Sequence, residues 1–265
     1  MAVVRPLSWM GYWTLAWLGM AALGSAQQMP PSEHIFPATT KVYVSVPDVP
    51  KLMQAWERAP LGRLLDDPAM QDFRMDLERQ LDDKAGQVEN RLGIAPADVK
   101  GLPTGEVAIA LIALPNGRAA VAGLIDVTNN LQAAGQTLQK IDASLMRNGA
   151  KRTMHQSKFA KAPLTHYQIP PKGKRKQVTH AVYFIENGVL GVFDDLATAE
   201  DILSRLAAPN PNSLANVPNY KAVMDRSEKQ VPGFDPHLRW WIDPLPAAEA
   251  VETYLTQKPS RDPVK

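Results

Sequence analysis

Apolar and polar positions alternate from Lys41 to Val46, and period two predicts a strand with Val42, Val44 and Val46 turned inward. The spacing then changes to that of a helix over Asp48–Arg58, with Leu52, Met53 and Trp56 on one face. A long helix is predicted next. Asp67 suits its N-cap, Pro68 its first turn and Gly93 its end. Met70, Phe73, Leu77, Leu81, Val88 and Leu92 would form its core-facing stripe.

Two apolar runs, Glu106–Leu114 and Arg118–Val127, flank Asn116-Gly117, a dipeptide suited to a tight hairpin. A helix is expected over Leu131–Met146. Strands are expected near Arg152–Ser157, Leu164–Ile169, Gln177–Ile185 and Val189–Phe193, with Asn187-Gly188 turning between the last two. Helices over Thr198–Ala207, Tyr220–Glu228 and Ala247–Leu255 complete the pattern, with a strand at Leu238–Ile242. Strands arriving as hairpins with helices between them predict an α+β fold, a mostly antiparallel sheet with helices packed on one face.

An apolar strand end, an aspartate and a helix recur in sequence at Asp48, Asp126, Asp194-Asp195 and Asp243. The repetition suggests duplicated strand–Asp–helix sub-units. Helix capping explains all of them from local structure. The sharper alternative gathers them at one sheet edge, where they would bind Ca²⁺ or act as a glycosidase pair.

Residues 1–26 have the form of a secretory signal peptide: Arg5, then an apolar run from Leu7 to Leu23, then Gly24-Ser25-Ala26. Cleavage is expected between Ala26 and Gln27, giving an exported protein, periplasmic or extracellular. Residues 27–40, rich in Pro, Gln, Ser and Thr, are expected to be an extended leader. Residues 41–256 then form a single domain, which the repetition would divide near residue 150, and residues 257–265 a flexible tail.

Three stretches carry a resemblance. They are Thr39-Thr40-Lys41-Val42-Tyr43-Val44-Ser45-Val46, Gly101-Leu102-Pro103-Thr104-Gly105-Glu106-Val107-Ala108, and Ser213-Leu214-Ala215 with Pro218-Asn219-Tyr220 ahead of Leu238–Asp243. Together they resemble a family of exported bacterial proteins of unknown function built from repeated strand, helix and hairpin modules. The resemblance covers most of residues 38–250 and carries over no catalytic residue.

Composition narrows the chemistry. The chain has no cysteine, which excludes disulfides, thiolate metal sites and cysteine nucleophiles. A net charge of +2 is too balanced for general nucleic-acid binding. Nucleophile-elbow, phosphate-loop, dinucleotide and zinc-protease signatures are absent. Glu106 opens a strand and reads as an exposed or capping carboxylate. His155, His166 and His180 fall in successive strands and could share one face, an arrangement that suits Zn²⁺ only in a favourable register. No cofactor or metal is assigned. Trp240 and Trp241 must point to opposite faces of their strand.

Charge distribution is the most informative feature. From Ala143 to Ile185 there is no Asp or Glu, and Lys172, Lys174, Arg175 and Lys176 crowd one inter-strand loop. With Lys158 and Lys161 they form the expected binding surface for an anionic envelope polymer or membrane surface. The expected function is therefore a non-enzymatic interaction or structural domain of the cell envelope. The alternatives are a hydrolase using unrecognised carboxylates and a carrier of an apolar ligand.

Overall fold

A computed structural model describes residues 29–65, 67–77, 79–80, 99–115, 117–171, 178–233 and 235–256. The signal segment with Ala26 and Gln27, the tail 257–265 and the four bases Lys172, Lys174, Arg175 and Lys176 lie outside them. So do Asn116 of the first hairpin and Leu81, Val88, Leu92 and Gly93 of the long helix.

The fold is α+β. Eight strands form one sheet, all pairs antiparallel. They are β1 (Thr40–Val46), β2 (Val107–Ala113), β3 (Ala119–Asp126), β4 (Lys151–His155), β5 (Leu164–Ile169), β6 (Thr179–Glu186), β7 (Val189–Phe193) and β8 (Arg239–Ile242). Their order across the sheet is β4-β5-β6-β7-β3-β2-β1-β8. Helices with both ends in the described residues are α1 (Ser32–Ile35), α2 (Val49–Arg58), α3 (Pro60–Leu65), α4 (Leu131–Arg147), α5 (Leu196–Ala207), α6 (Pro218–Gln230) and α7 (Pro244–Thr256). Pairing of β3 with β7 joins strands before residue 150 to strands after it in one continuous sheet.

The helices divide between both faces of the sheet rather than gathering on one. Strand parity shows the division. One face carries Tyr43, Ala110, Ala122, Phe193, Val182 and Trp241, packed with Ile202 and Leu203 of α5, Tyr220 of α6 and Phe36. The other carries Tyr167, Ala181, Tyr183 and Val192 under Ala134, Ile141 and Leu145 of α4. Farther along that second face, Ala250 and Tyr254 of α7 cover Leu111, Ala119 and Val121.

Two-sided burial corrects the expected phase of β1. Past Thr40, Tyr43 and Ser45 are the buried side chains, and Val44 is exposed. The segment expected to be a leader is packed into the domain: Ile35 and Phe36 are buried core residues. The long helix is also different where it is described. Asp67 caps a short 3₁₀ turn at Pro68–Met70 that continues as helix over 71–77, and Phe73 and Leu77 are exposed instead of facing a core.

Asn187 and Gly188 turn β6 into β7 with φ of 48° and 78°. Both are left-handed, as a two-residue hairpin requires. A Cβ on Gly188 would also meet the Thr128 side chain. Gly188→Ala should therefore lower stability by about 1–3 kcal/mol, read as a shift of the urea unfolding midpoint at unchanged slope.

Candidate functional site

Three bases of the acid-free stretch stand at one end of the β4 edge. The β5–β6 connection leaves the sheet at Ile169, beside the start of β4, because Lys151 pairs with Gln168. A Cβ built on Gly149, just before β4, lies 3.7 Å from Pro170, so the α4–β4 turn abuts the base of the basic loop. The bases that the fold gathers at this end are thus Arg147, Lys151 and Arg152. Asp142 of α4 holds Arg152 at 2.9 Å and 3.0 Å and accepts 2.7 Å from the Tyr167 hydroxyl. Burial, and then that carboxylate, push the Tyr167 hydroxyl pKa up.

Lys158 and Lys161 stand apart from Arg147, Lys151 and Arg152. They lie in the β4–β5 turn, at the opposite end of β5, a separation of about 20 Å for a six-residue strand. Their surroundings differ as well. The Lys158 ammonium sits 4.9 Å from the Phe159 ring centroid. The Lys161 backbone N–H donates to Glu186 at 2.8 Å, and Ser157 donates to Glu200 at 2.7 Å.

The repeated aspartates do not form a carboxylate cluster. β1 and β3 run in the same direction, so Asp48 and Asp126 lie at one end of the sheet. β7 and β8 run the other way, which places Asp194, Asp195 and Asp243 at the far end. Two cap helices: Asp48 accepts from Lys51 N–H of α2 at 2.8 Å, and Asp195 accepts from Thr198 N–H of α5 at 2.9 Å. Asp126 makes an Asx turn to Thr128 N–H at 2.9 Å, and α4 starts later, at Leu131. Asp194 accepts from Val121 N–H at 2.9 Å, and Asp243 pairs with Lys41 at 3.9 Å.

Glu106 is not exposed, and among the described residues the only helix N–H it accepts from is the first of α1, far away in sequence. It is buried, with one carboxylate oxygen accepting from the Ser32 and Ser45 hydroxyls at 2.5 Å each and the other accepting from Ser32 N–H at 3.0 Å. The Tyr43 hydroxyl stands 2.9 Å from the Ser32 hydroxyl and 3.2 Å from Glu33, which pairs with Arg239 at 3.3 Å. Burial and these two glutamates raise the Tyr43 hydroxyl pKa, burial most. Ser32, Tyr43 and Ser45 are all sealed from solvent. The network clips α1 onto β1 and the residue before β2.

His155, His166 and His180 do share one face. Successive ring centroids are 5.5 Å and 5.1 Å apart, and His166 Nε2 lies 2.8 Å from His180 Nδ1. The last two rings are stacked at 26°. Ring planes so nearly parallel do not converge on one point, whereas a metal must lie in the plane of each imidazole that binds it. Among the described residues no group of three His, Asp or Glu is arranged to hold a metal ion.

The Asp194 carboxyl, desolvated beneath α7, has its pKa raised from 3.8 to about 6, burial outweighing the hydrogen bonds from Tyr254 and Val121. Well below pH 4 it is protonated in folded and unfolded chains alike. As pH rises the unfolded chain ionises first, so native stability falls until the folded value is passed, and is level above it. In Asp194→Asn the amide oxygen can still accept from Val121. Wild type should lose about 3 kcal/mol relative to this variant between pH 3.5 and 7, two pK units at about 1.4 kcal/mol each, read by urea unfolding across pH.

The chain matches no family model, no curated protein and no solved structure.

Proposed function

We propose that this protein is a non-enzymatic, exported interaction domain that docks on an anionic polymer of the cell envelope. One observation carries the reading: the acid-free stretch from Ala143 to Ile185 folds so that Arg147, Lys151 and Arg152 stand at the end of the sheet from which the basic loop leaves. Like charges concentrated within a Debye length, about 8 Å at physiological salt, attract polyanions with salt-dependent affinity. Export rests on the apolar run Leu7–Leu23 and its small-residue end. Membership of the family of exported repeat-module proteins belongs to the same reading.

The two alternatives have less support. A hydrolase needs paired carboxylates, and Asp48, Asp126 and Asp195 are each held by a backbone N–H while Glu106 is sealed among hydroxyls. A carrier needs an enclosed apolar cavity. The cavity of about 570 Å³ along α7, lined by Pro244, Ala247, Val251 and Leu255, is an open groove.

Replacing Lys172, Lys174, Arg175 and Lys176 with Ser should lower the salt needed to elute the protein from heparin. The melting temperature should stay within about 2 °C, as surface substitutions change stability little. Lys151→Ser should shift elution in the same direction, and Lys158→Ser with Lys161→Ser should not. Elution of the quadruple variant at the wild-type salt concentration would reject the docking surface. Intact-mass analysis of protein exported by its host should give Gln27 as the first residue; a retained 1–26 segment would reject export with cleavage.

A further inference from the structure

The two edges of the sheet are built differently. β4 presents Lys151 and Arg152 along an exposed strand, and charges on an edge oppose pairing with another sheet. β8 is the opposite edge, and its exposed side chains are Trp240, 61% accessible, and Ile242, 45% accessible. Among the described residues no strand pairs with its outer side.

Register shows which backbone groups that edge offers. Ile242 stands opposite Val42, and Asp243 N–H donates to Lys41 C=O at 3.0 Å. In an antiparallel pair, hydrogen-bonded and non-hydrogen-bonded positions alternate. Trp241 and Arg239 therefore bond inward to β1, and the N–H and C=O groups of Trp240 and Ile242 point outward. These same two residues carry the exposed apolar side chains.

We propose that β8 pairs antiparallel with β8 of a second copy of this chain, about a two-fold axis through Trp241. Only registers that match outward-pointing residues with each other are allowed, and the one centred on Trp241 does this. It places Trp240 opposite the second copy's Ile242, each such pair exchanging both backbone hydrogen bonds and covering apolar side chains on one face. On the other face it places Arg239 opposite the second copy's Asp243. Within one copy Arg239 already pairs with Glu33 at 3.3 Å, and Asp243 with Lys41 at 3.9 Å. Joining the copies extends these into a row of alternating sign: Glu33, Arg239, Asp243, Lys41. The strand is self-complementary in shape, hydrogen bonding and charge, as a two-fold interface requires.

Light scattering after gel filtration of the purified chain at tens of micromolar should give a dimer. Arg239→Glu sets two carboxylates against each other across the axis, and Asp243→Lys sets two cations against each other there. Each variant alone should dissociate at least tenfold more readily. An equimolar mixture should recover the dimer, because the mixed pair restores opposite charges at both positions, with the two partners exchanged at one of them. Trp240→Lys with Ile242→Lys, which touches no ion pair, should also be monomeric while retaining the wild-type circular dichroism spectrum. A monomeric wild type, or a lysine variant that remains dimeric, would overturn the proposal. A mixture of the charge variants that stays monomeric while wild type dimerises would overturn the register. The basic-loop Ser variant should remain dimeric, so the outcome is distinct from that of polymer docking.

Discussion

Pairing of β3 with β7 is the joint on which the fold depends. It runs from Ala122 against Phe193 to Asp126 against Val189, and among the described strands it is the pairing that joins the four ahead in spatial order to the four behind. Both strands are covered on both faces, so their residues are apolar nearly throughout, as buried central strands must be. Small side chains make this possible. Gly191 lies where a Cβ would strike the rings of Phe184 and Phe193, which stack with centroids 5.4 Å apart. That aromatic pair forms the floor for Ile202 and Leu203 of α5 in the same core.

Covering the sheet on both sides also explains which parts of the fold can be read from sequence. The β6–β7 hairpin is legible because Asn187-Gly188 has a local conformational demand that only a few residue types meet. Helix starts at Asp48 and Asp195 are legible for the same reason. The phase of β1 is not. Val42, Val44 and Val46 look like an inward face, but the alternating rule assumes water on one side. The buried side instead carries Tyr43 and Ser45, held by a glutamate more than sixty residues away in the chain. No local signal marks Glu106 as a buried hub, since its partners Ser32 and Ser45 are brought to it only by the tertiary fold. Three successive strand histidines, in contrast, are legible as a shared face, and the stacking of His166 on His180 is a matter of side-chain geometry.

The same distinction separates charge content from charge placement. An acid-free stretch is visible in the sequence, but strand direction decides which of its bases act together. β4 and β5 are antiparallel, so Lys151 meets the far end of β5 while Lys158 and Lys161 remain at the near end with Glu186 and Glu200. Antiparallel direction equally divides the aspartates. A repeated strand–Asp–helix pattern places its carboxylates together only when the repeated strands run the same way, and β1 and β3 run opposite to β7 and β8.

The two outer strands then acquire opposite characters from one requirement. An open sheet has two edges, and each must be protected or used. Lys151 and Arg152 protect β4, and under the proposed docking the same positive charge that repels another strand would attract an anionic polymer. β8 carries no charge with an outward-pointing backbone group: Arg239 and Asp243 bond inward, and Trp240 and Ile242 face out. Seven inter-strand spacings separate the edges, about 34 Å. The proposed polymer docking at one edge and the proposed self-association at the other would therefore not compete for surface. Pairing through β8 would turn the two β4 edges outward at the ends of a doubled sheet, so that two weak electrostatic contacts could engage one extended polymer, with the gain in effective concentration that linked sites provide.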